Sequence, residues 1–199
     1  MLKAIALSCI RDDRVLFAEL SFSLQQRQVL LLEGKNGSGK TSLLRILCGF
    51  READAGEVFW CDERIGSAQY HADMAYIGHL EGVKKELSVL ENLNVALALS
   101  VPGRYTIAEA LAQVQLTGYD DALVSALSAG QKRRLSLARL LITQRVLWIL
   151  DEPFTSLDKQ GIQLTQALMT QHCDQGGMIV MTSHHDLNLP GVDVQRIRL

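Results

Sequence analysis

Apolar residues along this chain follow two kinds of pattern. Leu20-Ser21-Phe22-Ser23-Leu24 alternates apolar and polar side chains, which predicts a half-buried strand. Val29-Leu30-Leu31-Leu32 and Val146-Leu147-Trp148-Ile149-Leu150 are unbroken apolar runs, as expected of strands covered on both faces in a parallel sheet. Shorter strands are predicted near the N-terminus and at Glu57–Trp60, Met74–Ile77, Met178–Thr182 and Val194–Ile197. Helical spacing marks Thr41–Gly49, where Leu43, Leu44, Ile46 and Leu47 suit packing on a sheet, and again Lys159–His172. Between about residues 80 and 142 the texture is helical throughout. Ser88 with Glu91, and Thr106 with Glu109, carry the spacing of capping boxes ahead of helices at Val89–Leu99 and Ala110–Leu116. Pro102-Gly103 and Gly118 break them, and Lys132–Ile142 is a third helix. Strands and helices alternating around a helical insert give an α/β class with a mainly parallel core sheet.

Composition narrows this only a little. The 199 residues fit one domain, 1–199, with the helical stretch inserted in it. Twenty Lys and Arg against 22 Asp and Glu argue against a chain whose business is gripping nucleic acid. The apolar start at Met1–Leu7 runs straight into Arg11-Asp12-Asp13-Arg14 and reads as a first strand rather than a signal peptide. No apolar run reaches the length of a membrane helix, so a soluble, cytoplasmic chain is expected. The 48% hydrophobic content still leaves room for an apolar docking face. Cys9, Cys48, Cys61 and Cys173 form no CxxC pair or metal spacing, and all four are expected to be buried thiols.

The chemistry begins at Gly34-Lys35-Asn36-Gly37-Ser38-Gly39-Lys40-Thr41, a phosphate loop between a buried strand and a helix. Its glycines let successive amides point at phosphate oxygens, and the helix N-terminus adds partial positive charge. Lys40 is expected on the β- and γ-phosphates of ATP and Thr41 on Mg²⁺. The apolar strand ending in Asp151-Glu152 brings two carboxylates to the carboxyl edge of the sheet, where such sheets bind ligands. Asp151 is assigned to the Mg²⁺ shell and Glu152 to the attacking water as base.

Leu127-Ser128-Ala129-Gly130-Gln131 resembles the signature of the ABC ATPase family, with Ala129 where that family usually has glycine. Ser156-Leu157-Asp158 resembles its D-loop, and Thr182-Ser183-His184 its switch histidine, with His185 adjacent as the other candidate. The resemblance implies the ABC-type nucleotide-binding fold with antiparallel strands on the N-terminal side. It also implies ATP hydrolysis with Mg²⁺, and a head-to-tail homodimer in which Ser128, Ala129, Gly130, Gln131 and Asp158 face the partner's phosphate loop.

Two places depart from the family pattern. Its adenine-stacking aromatic is absent from Cys9–Arg14, and Arg11 stands there, either stacking its guanidinium on the base or sitting as a solvated charge. Where a Q-loop glutamine is usual, Tyr76-Ile77-Gly78-His79 places His79, which the metal shell would then reach through water. Gly78-His79, Gly82, Lys84 and Leu87-Ser88-Val89-Leu90-Glu91-Asn92-Leu93 resemble the ATPase subunits of cytochrome c maturation systems, described as haem exporters. So do Glu57–Trp60 and Leu147–Thr155. That likeness implies integral inner-membrane partners and a peripheral place on the cytoplasmic face of the inner membrane. Its work would be haem export or release of a haem-loaded chaperone. The alternative is the ATPase of another small ABC transporter, an importer or a lipoprotein-release system.

Overall fold

A computed structural model describes residues 1–199. Strands β1 (Leu2–Arg11), β2 (Arg14–Leu24), β4 (Ala55–Trp60) and β5 (Glu63–Arg64) form an antiparallel sheet in the order β2-β1-β4-β5. A second sheet is all parallel. It orders β6 (Met74–Ile77), β7 (Leu147–Leu150), β8 (Met178–Thr182), β3 (Gln28–Glu33) and β9 (Asp193–Arg198) as β6-β7-β8-β3-β9.

The continuous apolar runs are explained by two separate cores on the two faces of the parallel sheet. Val29, Leu31, Trp148, Leu150, Ile179 and Met181 point into one, while Leu30, Leu32, Leu147, Ile149, Met178 and Val180 point into the other. Successive side chains of a strand face opposite ways, so a strand with cores on both sides has no polar position to spare.

Helix α1 (Lys40–Leu47) lies in the second core, between the two sheets, with Leu43, Leu44, Ile46 and Leu47 buried. Each such side chain contributes about 1.5–3 kcal/mol when fully buried. Among its neighbours is α2 (Ala68–Asp73), a short helix that the sequence pattern did not single out. Its Tyr70 is fully buried and donates its hydroxyl to Leu47 O, and burial pushes the phenol pKa upward.

From β6 to β7 the chain is helical: α3 (Val89–Ala98), α4 (Ile107–Gln113) and α5 (Ala129–Leu141). Helix α6 (Lys159–Asp174) follows β7 and covers the same face of the sheet as α5. Capping boxes form at Ser88–Glu91 and Thr106–Glu109, and a third at Ser128–Gln131. The caps settle where helices begin: α4 starts at Ile107 rather than Ala110, and α5 at Ala129 rather than Lys132.

One expectation about cysteines is corrected. Cys9, Cys48 and Cys173 are buried, but Cys61 is exposed. Cys61 and Asp62 have φ of 50° and 67° and form the two-residue turn between β4 and β5, a place on the surface by geometry.

Candidate functional site

The phosphate loop leaves β3 at Glu33 and enters α1 at Lys40. Gly37 and Gly39 take φ of 80° and 106°, values that residues with a Cβ rarely adopt. A Cβ at Gly39 would lie 3.0 Å from Leu16 and 3.2 Å from Phe17, so the loop packs directly on β2. Lys40 is 9% exposed, and its ammonium donates to Gly34 O at 2.7 Å and Lys35 O at 3.3 Å, across the loop it closes. Ser38 Oγ is buried with no hydrogen-bond partner. An orphaned hydroxyl within the phosphate loop suits a phosphate oxygen.

Asp151 follows the last residue of β7 and is buried. Thr41 Oγ1 donates to Asp151 Oδ2 at 2.9 Å, and Thr182 Oγ1 donates to Asp151 Oδ1 at 2.7 Å. The Thr41 and Asp151 oxygens, brought together from α1 and the end of β7, are the donor set a hard divalent cation prefers. Buried Cys48 lies close enough to feel the Asp151 charge; burial first, then that carboxylate, push its thiol up to about 12. It is a packing residue, not a nucleophile.

Glu152 has φ of 50°, a left-handed backbone for a residue with a side chain. Its amide donates to Thr182 Oγ1 at 2.9 Å. Glu152 Oε2 accepts the His184 amide at 3.3 Å, while Oε1 lies 3.4 Å from His184 Nε2 and is buried without a hydrogen-bond partner. Of the two adjacent histidines, His184 reaches Glu152, whereas His185 packs edge-on against Phe154 with ring centroids 6.0 Å apart.

A cleft of about 700 Å³ opens along the loop, lined by Glu33, Gly34, Lys35, Asn36, Ser38 and His184 together with Arg14, Leu16 and the C-terminal residues. Arg11 is not among the lining residues. It sits opposite Arg14 at the tip of the β1–β2 hairpin, paired with Asp12 at 3.5 Å and largely exposed. Asp12 and Asp13 make the hairpin turn with φ of 50° and 58°. Arg14 is the residue that the sequence reading passed over; the signal for it was the two-residue turn, which makes Arg11 and Arg14 cross-strand partners.

The signature lies away from this cleft within the chain. Ser128 caps α5, accepting the Gln131 amide at 3.2 Å and donating its own amide to Gln131 Oε1 at 2.9 Å. Its hydroxyl proton stays free. Ala129 is the first residue of α5 and does not have positive φ, so its methyl is accommodated. At Gly130 a Cβ would come within 2.9 Å of Ser156 O, which sets the signature directly against the D-loop. Asp158 caps α6 through Gly161 and stands 3.6 Å from Arg134. His79, in the loop after β6, is exposed.

Two further residues complete the centre and were not assigned in advance. Thr182 links Asp151 to Glu152 as described. Arg133, 3% exposed, donates to the backbone carbonyls of Gly78, Asp151, Glu152 and Pro153.

A phosphate loop after β3, an acidic pair at the end of β7, two strands away across β8, and a histidine on that pair define a nucleotide-hydrolysing centre. The chain belongs to the ABC transporter family, whose pattern matches residues 17–155, and is an ATPase of the ABC type. Among curated proteins it is 48% identical over 202 residues to the cytochrome c biogenesis ATP-binding export protein CcmA of Yersinia pestis, covering 100% of this chain and 93% of that one. The protein of the same name from Vibrio cholerae is 44% identical over 203 residues, covering 100% and 98%. Among solved structures, an ABC transporter ATP-binding protein described as putative, from Pyrococcus furiosus, superposes with a TM-score of 0.85 at 22% identity, covering 100% of this chain and 96% of that one. A dimeric ATP-binding cassette in a post-hydrolysis state bound to ADP and Pi gives 0.85 at 19% identity, covering 100% and 94%. No helix is long and apolar enough to cross a membrane.

Proposed function

We propose that this chain is the energy-coupling ATPase of a membrane complex for c-type cytochrome biogenesis, acting in haem export or in ATP-driven release of a haem-loaded chaperone. The observation that carries the reading is full-length similarity at 44–48% to proteins named for that export role. The whole chain, 1–199, would act as one ATPase unit on the cytoplasmic face of the inner membrane. Residues 80–142 would meet integral membrane subunits. Exposed Leu80, Leu99, Val101 and Leu123 supply apolar surface within that stretch.

ATP lies against Gly34–Thr41, with Lys40 turning from the carbonyls of Gly34 and Lys35 to the β- and γ-phosphates. Arg14 and Leu16, lining the cleft, take the base side, with Arg11 beside them at the hairpin tip. Thr41 and Asp151 would hold Mg²⁺, and His79 would contribute to the same site; the ion would neutralise charge on the phosphates. Glu152 orients and deprotonates water, and His184, 3.4 Å from its carboxylate, fixes that group. Because 127–131 do not line their own chain's cleft, each ATP is completed head-to-tail by Ser128, Ala129, Gly130 and Gln131 of a second copy, with Asp158 beside them.

Affinity purification of the tagged chain from solubilised inner membrane, with partners identified by mass spectrometry and haem read by absorbance, tests the assignment. Recovery with cytochrome c maturation membrane proteins is expected. Recovery with an unrelated permease would overturn it and leave the ATPase chemistry standing.

A further inference from the structure

Arg133 occupies a position where α5 would ordinarily carry an apolar side chain. It stands four residues before Leu137 and seven before Leu140, on the stripe that the helix turns to the core. Its guanidinium is buried without a carboxylate hydrogen-bonded to it. Nε donates to Pro153 O at 3.0 Å, Nη1 to Gly78 O at 3.0 Å, and Nη2 to Asp151 O at 2.9 Å and Glu152 O at 2.6 Å. Burial pushes its pKa down, opposed by the charges of Glu81, Asp151 and Glu152. A buried cation is expensive and an apolar residue would fill the same space, so the reason for an arginine lies in what it holds.

What it holds is the backbone on both sides of Glu152. That residue has φ of 50°, a conformation that persists only where its surroundings over-determine it. Thr182 Oγ1 takes the Glu152 amide, and Arg133 takes the carbonyls of Asp151, Glu152 and Pro153. We propose that Arg133 is a positioning residue for hydrolysis: its planar fork clamps the Asp151–Pro153 turn and so aims the Glu152 carboxylate. The same fork grips Gly78 O, the carbonyl just before His79, and thereby ties the loop after β6 to the hydrolytic turn. Lysine cannot substitute, since one ammonium nitrogen cannot reach four carbonyls spread around a guanidinium plane. The inference rests on the reading of Glu152 as the base.

The test compares ATP hydrolysis by the full chain in its membrane-extracted assembly for wild type, Arg133→Lys, Arg133→Gln, Glu152→Gln and the double variant Arg133→Lys/Glu152→Gln. Misplacing a catalytic group by about an ångström costs on the order of 100-fold in rate. Arg133→Lys is therefore expected to lower kcat by roughly 10- to 100-fold while KM for ATP stays within about twofold. In the Glu152→Gln background the lysine variant adds no further loss, because the group being aimed is already gone. Near-normal kcat in both Arg133 variants would overturn the proposal. So would a lysine variant that loses ATP affinity in parallel with kcat, or whose loss multiplies with that of Glu152→Gln, since either marks a general structural role. If Glu152→Gln itself keeps normal turnover, the reading of the base fails instead, and the two failures are distinguishable.

Discussion

Thr182 donates its hydroxyl to Asp151 Oδ1 at 2.7 Å and, through the same oxygen, accepts the amide of Glu152 at 2.9 Å. One side chain at the end of β8 therefore connects the Asp151 carboxylate to the backbone of Glu152. Thr182→Val keeps the shape and removes the hydroxyl, leaving a carboxylate lone pair and an amide without their partner. The expected cost is about 1–3 kcal/mol of stability, read by chemical unfolding, with turnover reduced more than nucleotide affinity. Unchanged turnover would show that the link is not needed for Glu152 to act.

Lys40→Ala removes the buried cation of the loop, leaving the Gly34 and Lys35 carbonyls without their donor. ATP turnover is expected to vanish and nucleotide affinity to fall. Calorimetric titration with MgATP and a phosphate-release assay check both; near-normal activity would take Lys40 out of the phosphate site.

Arg14→Ala is expected to raise KM for ATP more than Arg11→Ala, because Arg14 lines the cleft and Arg11 is held at the tip by Asp12. Stacking of a guanidinium on an aromatic ring contributes about 0.5–2 kcal/mol, so the shift in KM is several-fold rather than a thousandfold. A larger effect at Arg11 would return the base to that residue.

The ring of His172 stacks on Trp148 with centroids 3.8 Å apart, and Nε2 donates to Val146 O at 3.2 Å. Burial depresses its pKa to about 4, against which the carbonyls of Val146 and Met178 pull only partly. The unfolded chain binds a proton here near pH 6.5 and the folded chain only near 4, so stability is intact above pH 6.5 and falls between those values. The loss is on the order of 3 kcal/mol when complete. His172→Phe keeps the stack and removes the titration. The wild-type minus variant difference in unfolding free energy should therefore shrink as pH drops from 6.5 to 4 and stay flat above 6.5. A flat difference throughout would mean that the ring is solvated.

Much of the molecule was legible in the residues because the local signals agreed with one another. The unbroken apolar runs of β3 and β7 read as doubly covered strands, and the two cores bear this out. The antiparallel sheet was implied by the family resemblance rather than by periodicity, since β1 and β2 are irregular, with shifts of register near Leu7 and Cys9. Helix α2 went unread because six residues carry too little periodicity to stand out. Within the candidate centre, Thr41, Asp151 and Glu152 were assigned from motifs, and the fold brings Thr41 against Asp151. Arg133 was hidden in the run Lys132-Arg133-Arg134, where three basic residues look alike in sequence. Only the helix phase sets Arg133 facing inward, and only the fold brings Gly78 and the Asp151–Pro153 turn to meet it. The choice between His184 and His185 depended likewise on which ring follows the strand closely enough to reach Glu152.

The central claim is that ATP is enclosed between two copies of this chain, with Glu152 the group that ends the enclosure by hydrolysis. The most direct measurement is the solution mass of Glu152→Gln in saturating MgATP, by light scattering on a sizing column, beside the same protein without nucleotide. A nucleotide-dependent dimer of the 22.0 kDa chain is expected, with phosphate release slowed by roughly 100-fold or more. The dimer should be lost again on adding Ser128→Arg. A monomer in saturating MgATP, or a dimer indifferent to Ser128, would contradict the shared site.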